Sequence, residues 1–382
     1  MTRSRLPLAG ILVADFSRVL AGPLCTQMLG DAGARVIKVE EPERGDETRR
    51  WGPPFVSGVS AYFLAVNRNK ESIAIDLRSR DGRRAAKTLV ARADVVVDNF
   101  LPPQRKELLP RNRNAIGCSI SGFDRDDTPG YDLLAQAASG LRAITGEPDG
   151  EPMKVGVAVA DVLTAHYATG AILAALYARE KTGRGAQIEV SLFSAAVASL
   201  VNVAQNALVT RREPARWGNA HPSIVPYQLF HGSDRPFAIG AGTDRHYEAL
   251  CRDVIGREDL LRFATNAERV ERRDELVPAL DAIFRTRRAK VWVDRCRKAA
   301  IPVALVQGVR EALQSAAGRS LVLAIDHPDA GRYEAVANPL LFSGKRFPIR
   351  SAPPRLGEHT ARILRELNLA AGSTRRGERD RP

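Results

Sequence analysis

The sequence predicts an α/β protein: a large domain built on a mostly parallel sheet, followed by a smaller α/β unit. Three observations predict it. Short apolar runs alternate with helical patterns through the first half of the chain, and polar residues gather where those runs end. A stretch rich in Pro, Arg and Gly at 210–228 then separates a second, shorter series of the same kind. Strands that alternate with helices imply βαβ crossovers, which place helices on both faces of a parallel sheet.

The elements follow in order. LAGILVADFS (8–17) reads as a buried first strand; Asp15 ends the apolar run early and no small-residue cleavage pattern follows, so this is not a signal peptide. AGPLCTQMLGDAG (21–33) reads as a helix stopped by glycine, and ARVIKVEEP (34–42) as the next strand. SIAIDLR (72–78), DVVVDNF (94–100) and AIGCSISGF (115–123) are further strands, with RDGRRAAKTLVARA (80–93) a helix among them. Helices over 162–179 and 191–210 come next, the second dense in Ala, Val and Leu and hence buried. The smaller unit spans 225–310, with FAIGAG as a strand, helices at 245–256, 271–286 and 290–300, and then PVALVQ. Extended patterns return at 330–350, and a loop and helix close the chain at 351–369.

Asp15, Ser17, Glu40, Asn99 and Ser121 fall at the carboxyl ends of the predicted strands, the edge where open parallel sheets bind ligands. No Gly-x-Gly-x-x-Gly follows the first strand, which argues against a dinucleotide cofactor. Leu20-Ala21-Gly22-Pro23 stands there instead; small residues at a helix start let an anionic ligand approach free N–H groups, although Pro near the first turn also suits an ordinary tight turn.

Asp161 is the most informative single residue. An alternating run of small apolar residues, Val155 to Ala160, meets a long helical pattern at this carboxylate. Read as a strand-to-helix junction, the position suits an N-cap, whose oxygens accept the free N–H groups of the first turn. Position alone favours the cap; the apolar flank weakens that preference towards a reactive group, because it implies burial, and a buried carboxylate is costly unless paired or hydrogen-bonded. The helix dipole is expected to keep the group ionised at neutral pH. One oxygen can cap while the other faces a pocket.

Composition excludes several classes. The 382 residues suffice for two domains, and 44% hydrophobic with 26% charged residues is ordinary for a globular enzyme. No stretch approaches the uninterrupted apolar length of a membrane span. Four scattered cysteines without a CxxC pair and six histidines without an HxxxH pair point to a reduced, cytoplasmic setting and away from a metal centre. The net charge of +13 comes from Lys and Arg spread along the chain, with clusters at 211–216, 268–273 and 286–298 and in the frayed tail STRRGERDRP. A basic pocket for a phosphorylated cofactor accounts for it as well as nucleic acid does.

Six motifs in order carry a family likeness: DFSRVLAGPLCTQMLGDAGARVIKVEEPERGD, NRNKESIAIDLRSRDG, DVVVDNF, CSISGF, AVADVLTAHYATGAILAALYAREKTGRGAQIEVSLFSA and PPRLGEHT. Together they resemble the class III CoA-transferases, the family of formyl-CoA transferase and the carnitine and bile-acid CoA-transferases. The resemblance implies a Rossmann-like large CoA-binding domain (1–204 with 331–382), a small domain (225–310), linkers at 205–224 and 311–330, and an interlocked homodimer. It makes Asp161 the nucleophile, which moves CoA from an acyl-CoA donor to a carboxylic acid acceptor through an aspartyl anhydride and an aspartyl-CoA thioester. It places CoA against Leu20 and Ala21, against Ile75, Asp76, Leu77 and Arg78, against Asn99, Phe100 and Leu101, and against Pro129, Gly130, Tyr131 and Asp132. Lys70 and Arg78 are the expected phosphate partners. The segment LPPQRKELLPRNRNA (101–115) is shorter than its usual counterpart, so Arg105 or Lys106 stands in for a displaced arginine. The glycine-run loop of formyl-CoA transferase is replaced by HPSIVPYQLFHGS, which removes support for formyl-CoA and oxalate as substrates.

Two other functions compete. The α-methylacyl-CoA racemases of the same superfamily use a histidine in the loop before the catalytic segment; Tyr131 occupies that place here, and His166 reads as a helix-packing residue. A basic nucleic-acid-binding protein is suggested by charge alone, without aromatic-basic interleaving or a DNA-binding motif. The expected partners are therefore substrates and a second copy of the chain, with neither nucleic acid nor membrane.

Overall fold

A computed structural model describes residues 6–108, 112–124 and 128–369. The tail STRRGERDRP lies outside them, as does part of the shortened 101–115 segment. Six strands form a parallel sheet: β1 (Leu12–Asp15), β2 (Arg35–Glu40), β3 (Lys70–Ala74), β4 (Val95–Asp98), β5 (Ile116–Ser121) and β6 (Gln187–Ser191). Their spatial order is β3-β2-β1-β4-β5-β6, and every neighbouring pair is parallel. The order reverses between β1 and β4, and a doubly wound sheet opens a ligand crevice at such a switch point.

Alternation along each strand assigns the faces. Val13, Val95, Val97, Ile116, Cys118 and Ile120 pack against the helices α1 (Ala21–Asp31) and α6 (Val159–Thr182). Ala14, Ile37, Val39, Ile73 and Val96 pack on the other side against α3 (Arg80–Arg92) and the helix Thr360–Glu366. Further helices of this unit among the described residues are α2 (Ala61–Val66), α4 (Pro102–Leu108), α5 (Asp132–Ala138), α7 (Leu192–Ala198) and α8 (Val201–Thr210). The PPRLGEHT segment protects the open edge: Ala74 N–H donates to Thr360 Oγ1 at 2.9 Å and Ser72 N–H to His359 Nδ1 at 3.2 Å.

Several local readings change. Residues 155–158 form no strand, and Val157 is 61% exposed. No neighbouring strand pairs there; Val155 N–H donates to the Gln136 side chain at 2.9 Å instead. The strand expected over 72–78 ends at Ala74, because Asp76–Ser79 closes a turn whose Ser79 caps α3. The helix expected over 191–210 is two, α7 and α8, bent by 75° near Val201. Among the described residues one helix, α6, is long and apolar enough to cross a membrane, contrary to the sequence reading. A core helix has the same properties, and Ala160, Ala165, Ala168 and Ile172 of α6 are fully buried against the sheet.

The chain divides into two compact units, the sheet unit just described (to Leu141, Lys154–Thr210 and from Arg319) and a second (Arg142–Met153 and Arg211–Gly318). The first also holds an antiparallel hairpin, Val322–His327 with Gly331–Val336. In the second, three antiparallel strands, Tyr227–His231, Pro236–Gly240 and Val303–Leu305, pack on helices around Phe230, Phe237, Phe284 and Trp292.

Candidate active site

The turn from β1 to α1 is tied at almost every residue. Asp15, fully buried, accepts from the Ser17 backbone N–H at 3.0 Å, from the Ser17 hydroxyl, and from Thr26 Oγ1 at 2.6 Å. Ser17 carbonyl accepts from Lys38 Nζ at 2.8 Å. Arg18 exchanges two backbone bonds with the Asn99 side chain, at 3.1 and 3.0 Å, across the switch point. Val19, a β-branched residue at φ 74°, has its N–H held by the Asp46 carboxylate at 3.3 Å. Such a conformation is costly and persists where the surroundings dictate it. Gly22 is required here, since a Cβ would sit 2.2 Å from the Ser17 side chain.

Asp161 meets this turn from above. It is the third residue of α6, not the cap; the cap position belongs to Ala158, which has no capping side chain. The carboxyl is 9% exposed and accepts from Ala21 N–H, the first N–H of α1. Burial and the neighbouring Asp132 push it up to about 7, and the Ala21 N–H only partly opposes them. The dipole of α6 therefore does not keep it fully ionised, as position alone suggested. Asp132 supplies the missing cap: its Oδ1 accepts from Ala160 N–H at 2.8 Å, while Oδ2 accepts from Gln136 Nε2 at 2.7 Å.

Tyr62 on α2 completes the cluster, from a stretch where the sequence shows no element of its own. Burial, then Asp161, Asp132 and Asp46, hold its phenol up at about 12. Its ring meets Trp51 edge-on at 5.3 Å. Gln136 is a second such residue, marked by its bonds to Asp132 and to Val155 N–H.

The predicted CoA contacts divide. Ala21 and Asp132 act directly on Asp161, Leu20 adjoins Ala21, and Asn99, just after β4, is bonded to Arg18 of the β1–α1 turn; Tyr131 precedes Asp132 and is 53% exposed. Pro129 and Gly130 lead into α5, and Gly130 lies so close to Gly122 that a Cβ on Gly122 would be 2.4 Å from its Cα. Phe100 packs on Phe16 with ring centroids 6.2 Å apart, and Leu101 opens α4 through a 3.0 Å bond from Arg105 N–H. Ile75 is in the core behind β3, and Leu77 packs on its edge. Arg78 is open to solvent, its Nε 3.0 Å from Asp76.

Lys70 must be reassigned. It is fully buried, and Nζ donates to Pro23 O at 2.8 Å, Asn67 Oδ1 at 3.0 Å and Asp15 Oδ2 at 3.1 Å. All three ammonium protons have protein acceptors, so none remains for a phosphate. Arg105 also lies away from Asp161: its guanidinium bridges Asp98 at 3.3 Å and Glu189 at 3.6 Å. Those residues line a cavity of about 770 Å³ with Val96, Gly117 and Ser119, on the sheet face opposite α1 and α6.

Comparison with known proteins places this geometry. The model of CoA-transferase family III matches residues 8–360. The chain is 40% identical over 380 residues to the succinyl-CoA:glutarate CoA-transferase of Mus musculus, covering 95% of this chain and 87% of that protein. It is 38% identical to the acetyl-CoA:oxalate CoA-transferase of Acetobacter aceti, covering 94% and 96%. The crystal structure of a CaiB/BaiF family protein from Brucella suis superposes with a TM-score of 0.83 at 38% identity, covering 94% of this chain and 99% of that one. An open parallel sheet with a buried carboxyl at its switch point, matched along nearly the whole chain, makes this protein an enzyme that moves CoA between acyl thioesters and acids: it belongs to CoA-transferase family III.

Proposed function

We propose that Asp161 is the nucleophile and the transient carrier of both acyl group and CoA. One observation carries this reading. Asp15, Asp31, Asp46 and Asp98, buried aspartates of the sheet unit, each pair with a lysine or arginine at 2.6–3.3 Å, whereas Asp132 and Asp161 form a buried acid pair. Asp161 has no such cation among the described residues, only Ala21 N–H and the like charge of Asp132. A carboxyl buried without a counter-ion costs stability, and titratable groups held that way cluster at functional sites.

In the proposed cycle, an Asp161 oxygen attacks the donor thioester carbon. The C–S bond breaks, its electron pair leaves as CoA thiolate, and a mixed anhydride remains. The thiolate attacks the aspartyl carbonyl carbon, expelling the donor acid and leaving an aspartyl-CoA thioester. The acceptor carboxylate attacks the same carbon and expels thiolate again, and thiolate then takes the acceptor acyl group, restoring the carboxylate. One thioester replaces another, so no external energy is required. A carboxylate is a weak nucleophile, and holding the reactants in register supplies roughly 7–11 kcal/mol at best. Ala21 N–H is aimed at oxygen that gains negative charge whenever the aspartyl carbon is attacked, the arrangement that stabilises such intermediates.

Leu20, Ala21, Asn99, Phe100, Leu101, Pro129, Gly130, Tyr131 and Asp132 are assigned to CoA on this reading, with Ile75–Arg78 toward the adenosine end and Arg78 as its exposed cation. The relatives named for glutarate and oxalate make small dicarboxylic acids the first acceptors to try, oxalate among them despite the loop that argued against it, with succinyl-CoA as donor. A homodimer is proposed as well: Tyr167, Leu173 and Tyr177 on α6 and Val201, Leu208 and Val209 on α8 are exposed apolar side chains that a second copy would cover. Four free, buried cysteines suit a reducing cytoplasm.

Trapping tests the mechanism. After incubation with acyl-CoA, hydroxylamine or borohydride should modify one peptide, and that peptide should contain Asp161; labelling elsewhere refutes the assignment. Labelled CoA passing from thioester to free acid supports transfer, whereas α-proton exchange without an acceptor supports racemisation.

A further inference from the structure

We infer that the buried lysines Lys38 and Lys70 are positioning residues, which fix the β1–α1 turn from beneath so that Ala21 N–H meets the Asp161 carboxyl. Both side chains are fully buried and neither ammonium is free to touch a ligand. Lys70 grips the turn at Pro23 O, two residues past Ala21, and at Asp15. Lys38 grips it at Ser17 O and pairs at 2.8 Å with Asp46, which holds the strained Val19 N–H. The two cations thus bracket residues 17–23, and Leu20, the cap position of α1, has no capping side chain of its own.

Burying two ammonium groups close together is expensive, and a fold that needed only stability could fill the space with apolar side chains. What the apolar alternative lacks is direction: donors that dictate where particular carbonyls sit. The groups facing Lys70 are Asp15, Lys38 and Asp46, and Cys25 is near enough to feel Asp15 and Lys70. Burial first, then Lys38, pushes Lys70 down to about 8 against the pull of Asp15. Lys38 goes up, because Asp46, Asp15 and Glu40 outweigh its burial.

The effect on turnover rests on Asp161 being the acyl carrier; the effect on its titration does not. The experiment measures the pH dependence of carbodiimide labelling of the Asp161 peptide, together with kcat, in wild type, Lys70→Met, Thr26→Val and Arg68→Met. Arg68→Met is the control, since it breaks another buried pair on α1, with Asp31 at 2.6 Å, at the opposite end of the helix. In Lys70→Met the Asp161 midpoint should rise by about half a unit to one unit as its N–H donor drifts, and kcat should fall about 10–100-fold. Arg68→Met, at a similar loss of Tm, should leave the midpoint in place. A shifted midpoint with unchanged kcat supports the positioning and faults the carrier assignment. Equal midpoints in Lys70→Met and Arg68→Met overturn the inference. If Lys70→Met does not fold, Thr26→Val, which removes one bond to Asp15, should move the midpoint by less in the same direction, and no movement there overturns it too.

Discussion

Asp132 caps the helix that carries Asp161. Its Oδ1 accepts the Ala160 N–H at 2.8 Å, one residue before the reactive carboxyl, and the same charge raises the Asp161 pKa. One side chain therefore sets both where the first turn of α6 stands and how readily its carboxyl ionises.

Asp132→Asn separates the two effects. The amide oxygen can still accept from Ala160 N–H, while the negative charge is gone. The Asp161 midpoint, about 7 in wild type, should fall, and the acid limb of the kcat profile should move to lower pH. Asp132→Ala should also cost about 1 kcal/mol through the lost cap, measurable by urea unfolding.

Asp161→Asn should abolish CoA exchange, by more than about a thousandfold, and alter stability with a definite sign. The folded carboxyl titrates at about 7, above its ordinary 3.8. The wild-type fold therefore loses stability as pH rises from the unfolded value through 7, where the buried group must ionise. The asparagine variant avoids that loss, so it should match wild type near pH 4 and exceed it at pH 8 by on the order of 2–4 kcal/mol.

Tyr62 should report the charge on Asp161. Its phenol is held at about 12 by burial first and then by the carboxylates. In Asp161→Asn the phenol should titrate lower, read as the ultraviolet difference between each protein and its Tyr62→Phe counterpart. An unchanged midpoint would show that the carboxyl exerts no field on this ring.

Arg269 should prove the main polar anchor of the second unit. It is fully buried, and donates to Val225 O, Phe263 O and Ala264 O at 2.7–3.0 Å and to Asp244 at 2.6 Å. Arg269→Met strands these carbonyls and should destabilise the protein by about 3 kcal/mol, seen as an earlier thermal transition.

The sheet was legible because its strands are pure in chemistry: VVVD and RVIKVE leave little alternative. β6 was not, since QIEVS alternates polar with apolar and its polar side lines the cavity around Arg105 instead of facing a helix. Asp161 was legible as a residue but not as a position. The run from Val155 to Ala160 looks like a strand only until one asks what it pairs with, and Gln136, far away in sequence, supplies that answer. Lys70 misled for a related reason. An isolated lysine in a loop-flanked motif suggests a phosphate, and nothing local reveals that Asp15, Pro23 and Asn67 converge on it. Contacts between distant segments decide the site, and periodicity carries no record of them.

The borrowed helix caps have a consequence for biogenesis. Neither α1 nor α6 carries a side chain able to nucleate its own first turn; the donors at both ends are satisfied by aspartates from other helices. A helix end without a local cap leaves its first N–H groups unsatisfied and frays until partners dock. The reactive end of α6 therefore acquires its geometry only when α5 and the β1–α1 turn have closed on it, so that a nascent or partly unfolded chain presents an ordinary, solvated aspartate to the acyl-CoA around it.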